Sequence, residues 1–241
     1  MGAILQNFGC IFKRFIALKT EIQAQSFSDR AQSEKYQECL VQVEENSAAA
    51  ILGARKWYIE GGAVAAQHCE ALALYDQKRY GEAASLFEAI VGKLAREEGA
   101  GDFARQNKDV LTVQLNYLAG LAWHSDENYD KAYNALNSAI VGLDVGSEYG
   151  YELYNSEMID AYLYRAETFR KINEHLKARL DLNAALVLKP SHPDVLFESG
   201  VNYRMLNNDE KALQEWEKLI AKYPNSHWQN LVQENISLIG Q

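Results

Sequence analysis

The chain is poor in the residues that interrupt helices and in those that mark catalytic or metal chemistry. Its 241 residues include only three prolines, so few positions lose a backbone donor or suffer the ring clash that ends a helix. Cysteine is equally scarce: Cys10, Cys39 and Cys69 are the three, and none forms a CxxC pair, which excludes the common zinc modules. No apolar run approaches the roughly 20 residues that a membrane-spanning helix needs. A basic cluster is missing too. The formal net charge is −9, and phosphate backbones demand concentrated Lys and Arg, so nucleic acid is not an expected partner. His68, His124, His175, His192 and His227 show neither i, i+4 pairing nor an HExxH frame. The Gly92-Lys93 pair resembles the end of a phosphate loop, but Phe87 stands where that loop needs its first glycine. GxGxxG and GxSxG frames are absent. These absences lead to no expected catalytic residue, metal or cofactor, and to a binding protein rather than an enzyme.

What the chain has is helix-forming composition and a period. Hydrophobic residues make up 48%, with Ala, Leu, Glu and Tyr plentiful and β-branched runs few, which favours helix packed on helix. Five residue pairs lie 34 apart: Ala166 and Gly200, Phe169 and Tyr203, Ala178 and Ala212, Leu182 and Trp216, Pro190 and Pro224. A second regularity spans the chain. A small residue is followed 12 positions later by Ala at 71 and 83, 120 and 132, 166 and 178, and 200 and 212. A large side chain follows each Ala after four more positions: Phe87, Leu136, Leu182 and Trp216. The Ala positions themselves step by 49, 46 and 34, so insertions are expected near 97–109 and 144–156, where Gly99, Gly101, Gly146 and Gly150 favour turns.

Aligned on this period, residues 162–190 read YLYRAETFRKINEHLKARLDLNAALVLKP and residues 196–224 read LFESGVNYRMLNNDEKALQEWEKLIAKYP. These resemble the tetratricopeptide repeat (TPR), with its small residue and aromatic on a first helix, its Ala and large ring on a second, and its closing Pro. His175 and Leu182 depart from that pattern. The order of elements over about 31–235, including QHCEALALYDQKRYGEAA, is similar to a group of proteobacterial TPR proteins, many of them exported and none with an assigned chemistry. The resemblance implies an all-α fold, a TPR-type α-solenoid of antiparallel helix pairs with a C-terminal closing helix. The expected organisation is an amphipathic segment at 1–26, a degenerate TPR-like pair at 27–62, and a main domain at 63–241. That domain would hold repeats at about 63–96, 113–143, 159–190 and 193–224 and a cap at 225–241. In the degenerate pair, Tyr36, Leu40 and Val43 form one apolar stripe, Ala49, Leu52, Ala54 and Trp57 suggest another, and Gly61 and Gly62 stop the second helix. In the cap, Trp228, Leu231, Ile236 and Ile239 would cover the last repeat.

First helices of TPR proteins line a concave surface, so the resemblance implies a partner-binding groove. Its positions here would be His68, Leu72 and Tyr75; Tyr117, Leu121 and His124; Leu163, Glu167 and Arg170; and Phe197, Val201 and Arg204. Aromatic residues and Arg are enriched in protein interfaces. The TPR type that grips a terminal carboxylate uses Lys and Asn where this chain has His68 and Leu72, so a peptide or helical segment of another protein is the expected ligand. A self-associating structural protein is the alternative, with a homo-oligomer as its product.

Residues 1–26 place Leu5, Phe8, Ile11, Phe12, Phe15, Ile16 and Ile22 at helical spacing, with Lys13, Arg14 and Lys19 beside them. Three readings stand: an export signal ending near Ala24-Gln25-Ser26, an amphipathic helix in contact with a membrane surface, or a helix packed on the repeats or free in solution. The first would place the protein in the periplasm, the others in the cytoplasm, and any membrane contact would run through this segment. Cys39 and Cys69 have two readings as well: a disulfide, which requires an oxidising compartment, or two small buried thiols.

Overall fold

The computed structural model describes residues 30–98, 107–147 and 155–239. The 1–26 segment and most of both insertions fall outside the described residues, which contain helices and turns and no strand. Ten α-helices follow in order: α1 Arg30–Trp57, then a π-helical turn Tyr58–Gly62, α2 Ala63–Asp76, α3 Tyr80–Ala95, α4 Lys108–Ser125, α5 Tyr129–Ser147, α6 Asn155–Lys171, α7 His175–Leu188, α8 Pro193–Met205, α9 Asp209–Lys222 and α10 Trp228–Ile236. The described chain divides into two compact units, 30–142 and 143–239.

Helices α2–α3, α4–α5, α6–α7 and α8–α9 are the four hairpins that the spacing anticipates. All eight positions of the small-residue rule are buried: Ala71 and Ala83, Gly120 and Ala132, Ala166 and Ala178, Gly200 and Ala212. So are the large side chains Phe87, Leu136, Leu182 and Trp216. The reason for the small residues is steric. A Cβ added at Gly120 would stand 2.6 Å from Leu136 Cγ. One added at Gly200 would collide with the Trp216 indole. The two helices of a hairpin thus approach closely enough that one large side chain occupies the space a larger partner would need. Trp216 is sealed there, its Nε1 donating to the Phe197 carbonyl at 3.1 Å. Burying each such side chain is worth roughly 1.5–3 kcal/mol.

The hairpin turns repeat as faithfully as the core. Lys78, Glu127, Asn173 and Asn207 all have left-handed backbones, with φ between 56° and 62°, and each lies five residues before its Ala. The amide of the next residue then reaches back to the first helix: Arg79 N to Leu74 O, Asn128 N to Trp123 O, Glu174 N to Phe169 O and Asn208 N to Tyr203 O, at 2.8–2.9 Å. This is a Schellman closure, which satisfies carbonyls that a helix end leaves open. Asn tolerates the left-handed region; Lys and Glu do so at a cost.

In the 30–142 unit, α1 carries the degenerate pair on one bent helix. Asn46 leaves helical geometry (φ −157°, ψ 82°), and its Oδ1 accepts from Ala49 N at 3.1 Å, capping the second half. Tyr36, Leu40, Val43, Ala54 and Trp57 are buried. Leu52, expected on the inner stripe, is exposed, and Ile51 and Ala50 are buried instead: the stripe of Tyr36, Leu40 and Val43 continues past Asn46 through Ser47, Ala50, Ala54 and Trp57, and Leu52 lies off that series. Gly61, at φ 98°, makes the sharp junction through which α2 starts at once. Cys39 and Cys69 are paired as a disulfide between α1 and α2, with Cα atoms 6.3 Å apart.

In the 143–239 unit, α10 lies on the last hairpin. Trp228 and Val232 are its buried residues, with Leu231 and Ile239 partly covered. Ile236 is exposed rather than covering the repeat. The helix is nine residues long, and Ile239 in the turn after it, rather than Ile236, packs against the last hairpin.

The strained turns generate a test. Replacing Glu127 with Gly removes the left-handed penalty of about 1–2 kcal/mol but adds unfolded-state freedom, for a net gain of about 0.5–1 kcal/mol. Urea unfolding should show the midpoint rising for Glu127→Gly and not for Glu127→Ala; a loss of stability in the glycine variant would contradict the turn geometry.

Candidate functional site

The first helix of each hairpin carries the twelve candidate groove residues, and the structure places most of them inside. In the 30–142 unit, His68, Leu72 and Tyr75 on α2 and Tyr117, Leu121 and His124 on α4 are all buried. His68 is held within the unit: its Nδ1 lies 2.6 Å from the Tyr36 hydroxyl, and its ring lies against Phe87. Burial lowers the imidazole pKa to about 3, so the ring is neutral and serves packing and one hydrogen bond. The Tyr75 hydroxyl meets Ser125 Oγ at 3.3 Å, linking α2 to α4. Burial pushes this phenol up to about 12. Tyr75 also meets Tyr80 edge-on, as His124 meets Tyr129, so each hairpin tip here is closed by an aromatic pair.

In the 143–239 unit, Leu163 and Glu167 on α6 and Phe197 and Val201 on α8 are buried, whereas Arg170 and Arg204 are partly exposed. Phe197 packs on Trp228. The two arginines were expected to face a ligand. Both are engaged internally. Arg204 Nη1 donates to the Asn235 carbonyl at 3.3 Å, tying α8 to α10. Arg170 Nε lies 3.2 Å from Glu198 Oε2, and its Nη2 lies 3.4 Å from Glu167 Oε1. One guanidinium thus faces two buried carboxylates. Burial raises Glu198 to about 7; Arg170 opposes the rise, and Glu167 and Asp194 add to it. The cluster joins α6 to α8 and carries no excess positive charge.

Glu198 escaped the sequence reading because a Glu inside a first helix reads as solvent-facing. Its signal was position: it lies two residues before Gly200, within the helix turn that the close approach buries. Other polar cross-links in this unit were missed for the same reason. Arg165 forms a bidentate pair with Asp181 at 2.7 and 2.8 Å, joining α6 to α7. Arg179, also buried, donates to Ser199 Oγ at 3.1 Å and lies over the Tyr203 ring. Arg–carboxylate forks of this kind fix helix orientation as well as adding attraction.

Among the described residues no group of three or more His, Cys, Asp or Glu side chains could hold a metal. No described helix is long and apolar enough to cross a membrane. A shallow cleft of about 210 Å³ opens beside Cys39 between Lys35, Gln42, Lys56 and Trp57, smaller than the roughly 300–1,000 Å³ of ordinary small-molecule sites.

Comparison with known proteins agrees with the hairpin geometry. Residues 194–226 match the tetratricopeptide repeat family, over α8, α9 and the turn after them. No curated protein matches the sequence. Among solved structures, MamA (residues 41 to the end) of Desulfovibrio magneticus RS-1 superposes with a TM-score of 0.62 at 14% identity, covering 83% of this chain and 100% of that one. YrrB, described as a TPR protein with an unusual peptide-binding site, superposes with a TM-score of 0.61 at 17% identity, covering 92% and 97%. MamA from AMB-1 gives 0.56 at 15% identity, covering 85% and 99%. At these identities the likeness is one of fold: the chain is an all-α protein with the architecture of a TPR α-solenoid.

The Glu198 cluster makes stability depend on pH. A carboxyl whose folded pKa is raised from 4.5 to about 7 stabilises the fold fully below the lower value and loses that contribution as pH climbs through the higher one. Between pH 5 and pH 8, Glu198→Gln should gain on the order of 1–3 kcal/mol relative to the unsubstituted chain. Paired urea titrations at the two pH values measure this, and parallel pH profiles for both proteins would contradict it.

Proposed function

We propose that this TPR-fold chain is a protein-interaction scaffold that binds a peptide or helical segment of another protein along its first-helix faces. The observation that carries the reading is how the interior is spent. Histidine, tyrosine, glutamate and arginine side chains that could do chemistry are committed to holding helices together: His68 to Tyr36, Tyr75 to Ser125, Arg170 to Glu167 and Glu198. What remains for a partner on the first helices is their partly exposed rim, Arg170 and Arg204 included. Each unit offers rigid first helices, α2 and α4 in one and α6 and α8 in the other, and a rigid platform reduces the ordering that association costs.

Within this proposal the twelve candidate residues divide by role. His68, Leu72, Tyr75, Tyr117, Leu121, His124, Leu163, Glu167, Phe197 and Val201 form the floor that sets the shape of each face. Arg170 and Arg204 are its reachable members. Because two carboxylates offset Arg170, the ligand is expected to be neutral or amphipathic rather than strongly acidic. The peptide-binding site of YrrB supports this class of ligand on this architecture.

Peptides selected by display against the full chain test the assignment. They are expected to shift amide resonances of α6 and α8 more than those of α7 and α9. Arg204→Ala, checked for an unchanged fold by circular dichroism, should weaken at least one such peptide tenfold or more. Peptides that shift only second-helix resonances and ignore the Arg204 change would overturn the assignment.

A further inference from the structure

The four hairpins act as an internal alignment, and one helix breaks their pattern. On the solvent side of each second helix, two positions flank the buried Ala, two residues before it and two after. They hold Gly81 and Ser85 on α3, Asp130 and Asn134 on α5, and Glu210 and Gln214 on α9. On α7 they hold Leu176 and Leu180, exposed at 72% and 68%. Val187 continues the line at 81% exposure, with Ile172 and Leu188 at its ends. Leu176, Leu180, Asn183 and Val187 step by four, three and four, the spacing of a coiled-coil seam. Nothing inside the hairpin requires this stripe, because α7 packs through Ala178, Leu182 and Ala185 on its other side.

We infer that α7 pairs with α7 of a second copy of this chain, antiparallel and about a two-fold axis. The charges at the helix ends favour this occupant. Glu174 precedes the first residue of α7 and Lys189 follows its last, both exposed. In an antiparallel pair centred between positions 181 and 182, Leu176 of one copy lies against Val187 of the other. The same register sets Glu174 beside Lys189 of the second copy, twice by symmetry. Within its own copy each charge already sits at the helix end of opposite partial charge, and Glu174 also lies 3.4 Å from Lys177, so the pairing across the axis adds to contacts present in the monomer. Asn183 is the one polar member of the seam, and a polar residue there fixes register at a cost in affinity. The stripe offers a few hundred Å² per copy, below the roughly 800 Å² per partner of a standard interface, so the dimer is reversible and forms at high concentration.

Sedimentation velocity on the full chain, from about 5 to 500 µM, tests this against the affinities expected of small interfaces. The unsubstituted chain should shift from monomer towards dimer across that range. Leu180→Lys, at a position exposed in the monomer, should leave the thermal midpoint unchanged and abolish the shift. Glu174→Lys and Lys189→Glu should each weaken association at least fivefold, and the double swap should restore it. Three results would overturn the proposal: a monomer throughout, a dimer indifferent to Leu180→Lys, or a double swap no better than the single changes. A wild-type monomer that binds an apolar dye only after residues 1–29 are removed would assign the stripe to that segment and overturn it as well.

Discussion

Two helices can lie against each other at short range only where at least one of them presents almost no side chain. In this chain small residues stand buried at four such positions, Ala71, Gly120, Ala166 and Gly200, and at Gly120 and Gly200 an added Cβ would meet the second helix directly. The close approach creates the space that Phe87, Leu136, Leu182 and Trp216 fill. The turn amides bond back to the first helix in the same register each time. Everything else follows from that spacing: where the left-handed turn residue falls, which face of each first helix is interior, and how far apart neighbouring helices stand.

The two units reinforce this common scheme by different chemistry. Residues 30–142 rely on apolar burial, on aromatic pairs at the hairpin tips and on the Cys39–Cys69 link between α1 and α2. Residues 143–239 bring charged groups into the helix interfaces: Arg165 with Asp181, Arg170 with Glu198 and Glu167, Arg179 with Ser199. Buried ion pairs add little net stability because desolvation offsets their attraction, but leaving one partner behind is costly. Such pairs therefore dictate which helix faces meet more than how tightly they hold. Their arrangement also explains why the arginines that looked available for a ligand are occupied within the fold.

The repeat was legible because it is written in spacings, which survive when residue types drift. Twelve residues from small residue to Ala located all four hairpins, including the one with Leu182 in place of a ring. The turns were not legible in full. Asn173 and Asn207 carry a left-handed signal, but Lys78 and Glu127 adopt the same backbone without one, because the Schellman bonds and the packing on either side impose it. The groove was legible as a set of positions and not as a surface. A residue on the first helix of a TPR hairpin can face a ligand or the next helix, and the two directions differ by less than one helical step, which sequence periodicity does not resolve. His68 and Leu72 fall on the interior side of that boundary, Arg170 and Arg204 near it. Leu52 and Ile236 lie off the buried series of their segments, which runs through Ser47, Ala50, Ala54 and Trp57 in one and through Trp228, Val232 and Ile239 in the other.

The close approach at the small positions is the claim on which the rest stands, and a double-mutant cycle at Gly200 and Trp216 tests it most directly. Gly200→Ala alone should cost about 1–3 kcal/mol by urea unfolding, because its Cβ meets the indole. With Trp216→Phe present, the pair reproduces the Ala71 and Phe87 combination of the first hairpin. The same Gly200→Ala change should then be neutral or stabilising by up to about 1 kcal/mol, since alanine favours the helix. An equal cost in both backgrounds would mean that the two side chains do not compete for one space, and would contradict the account.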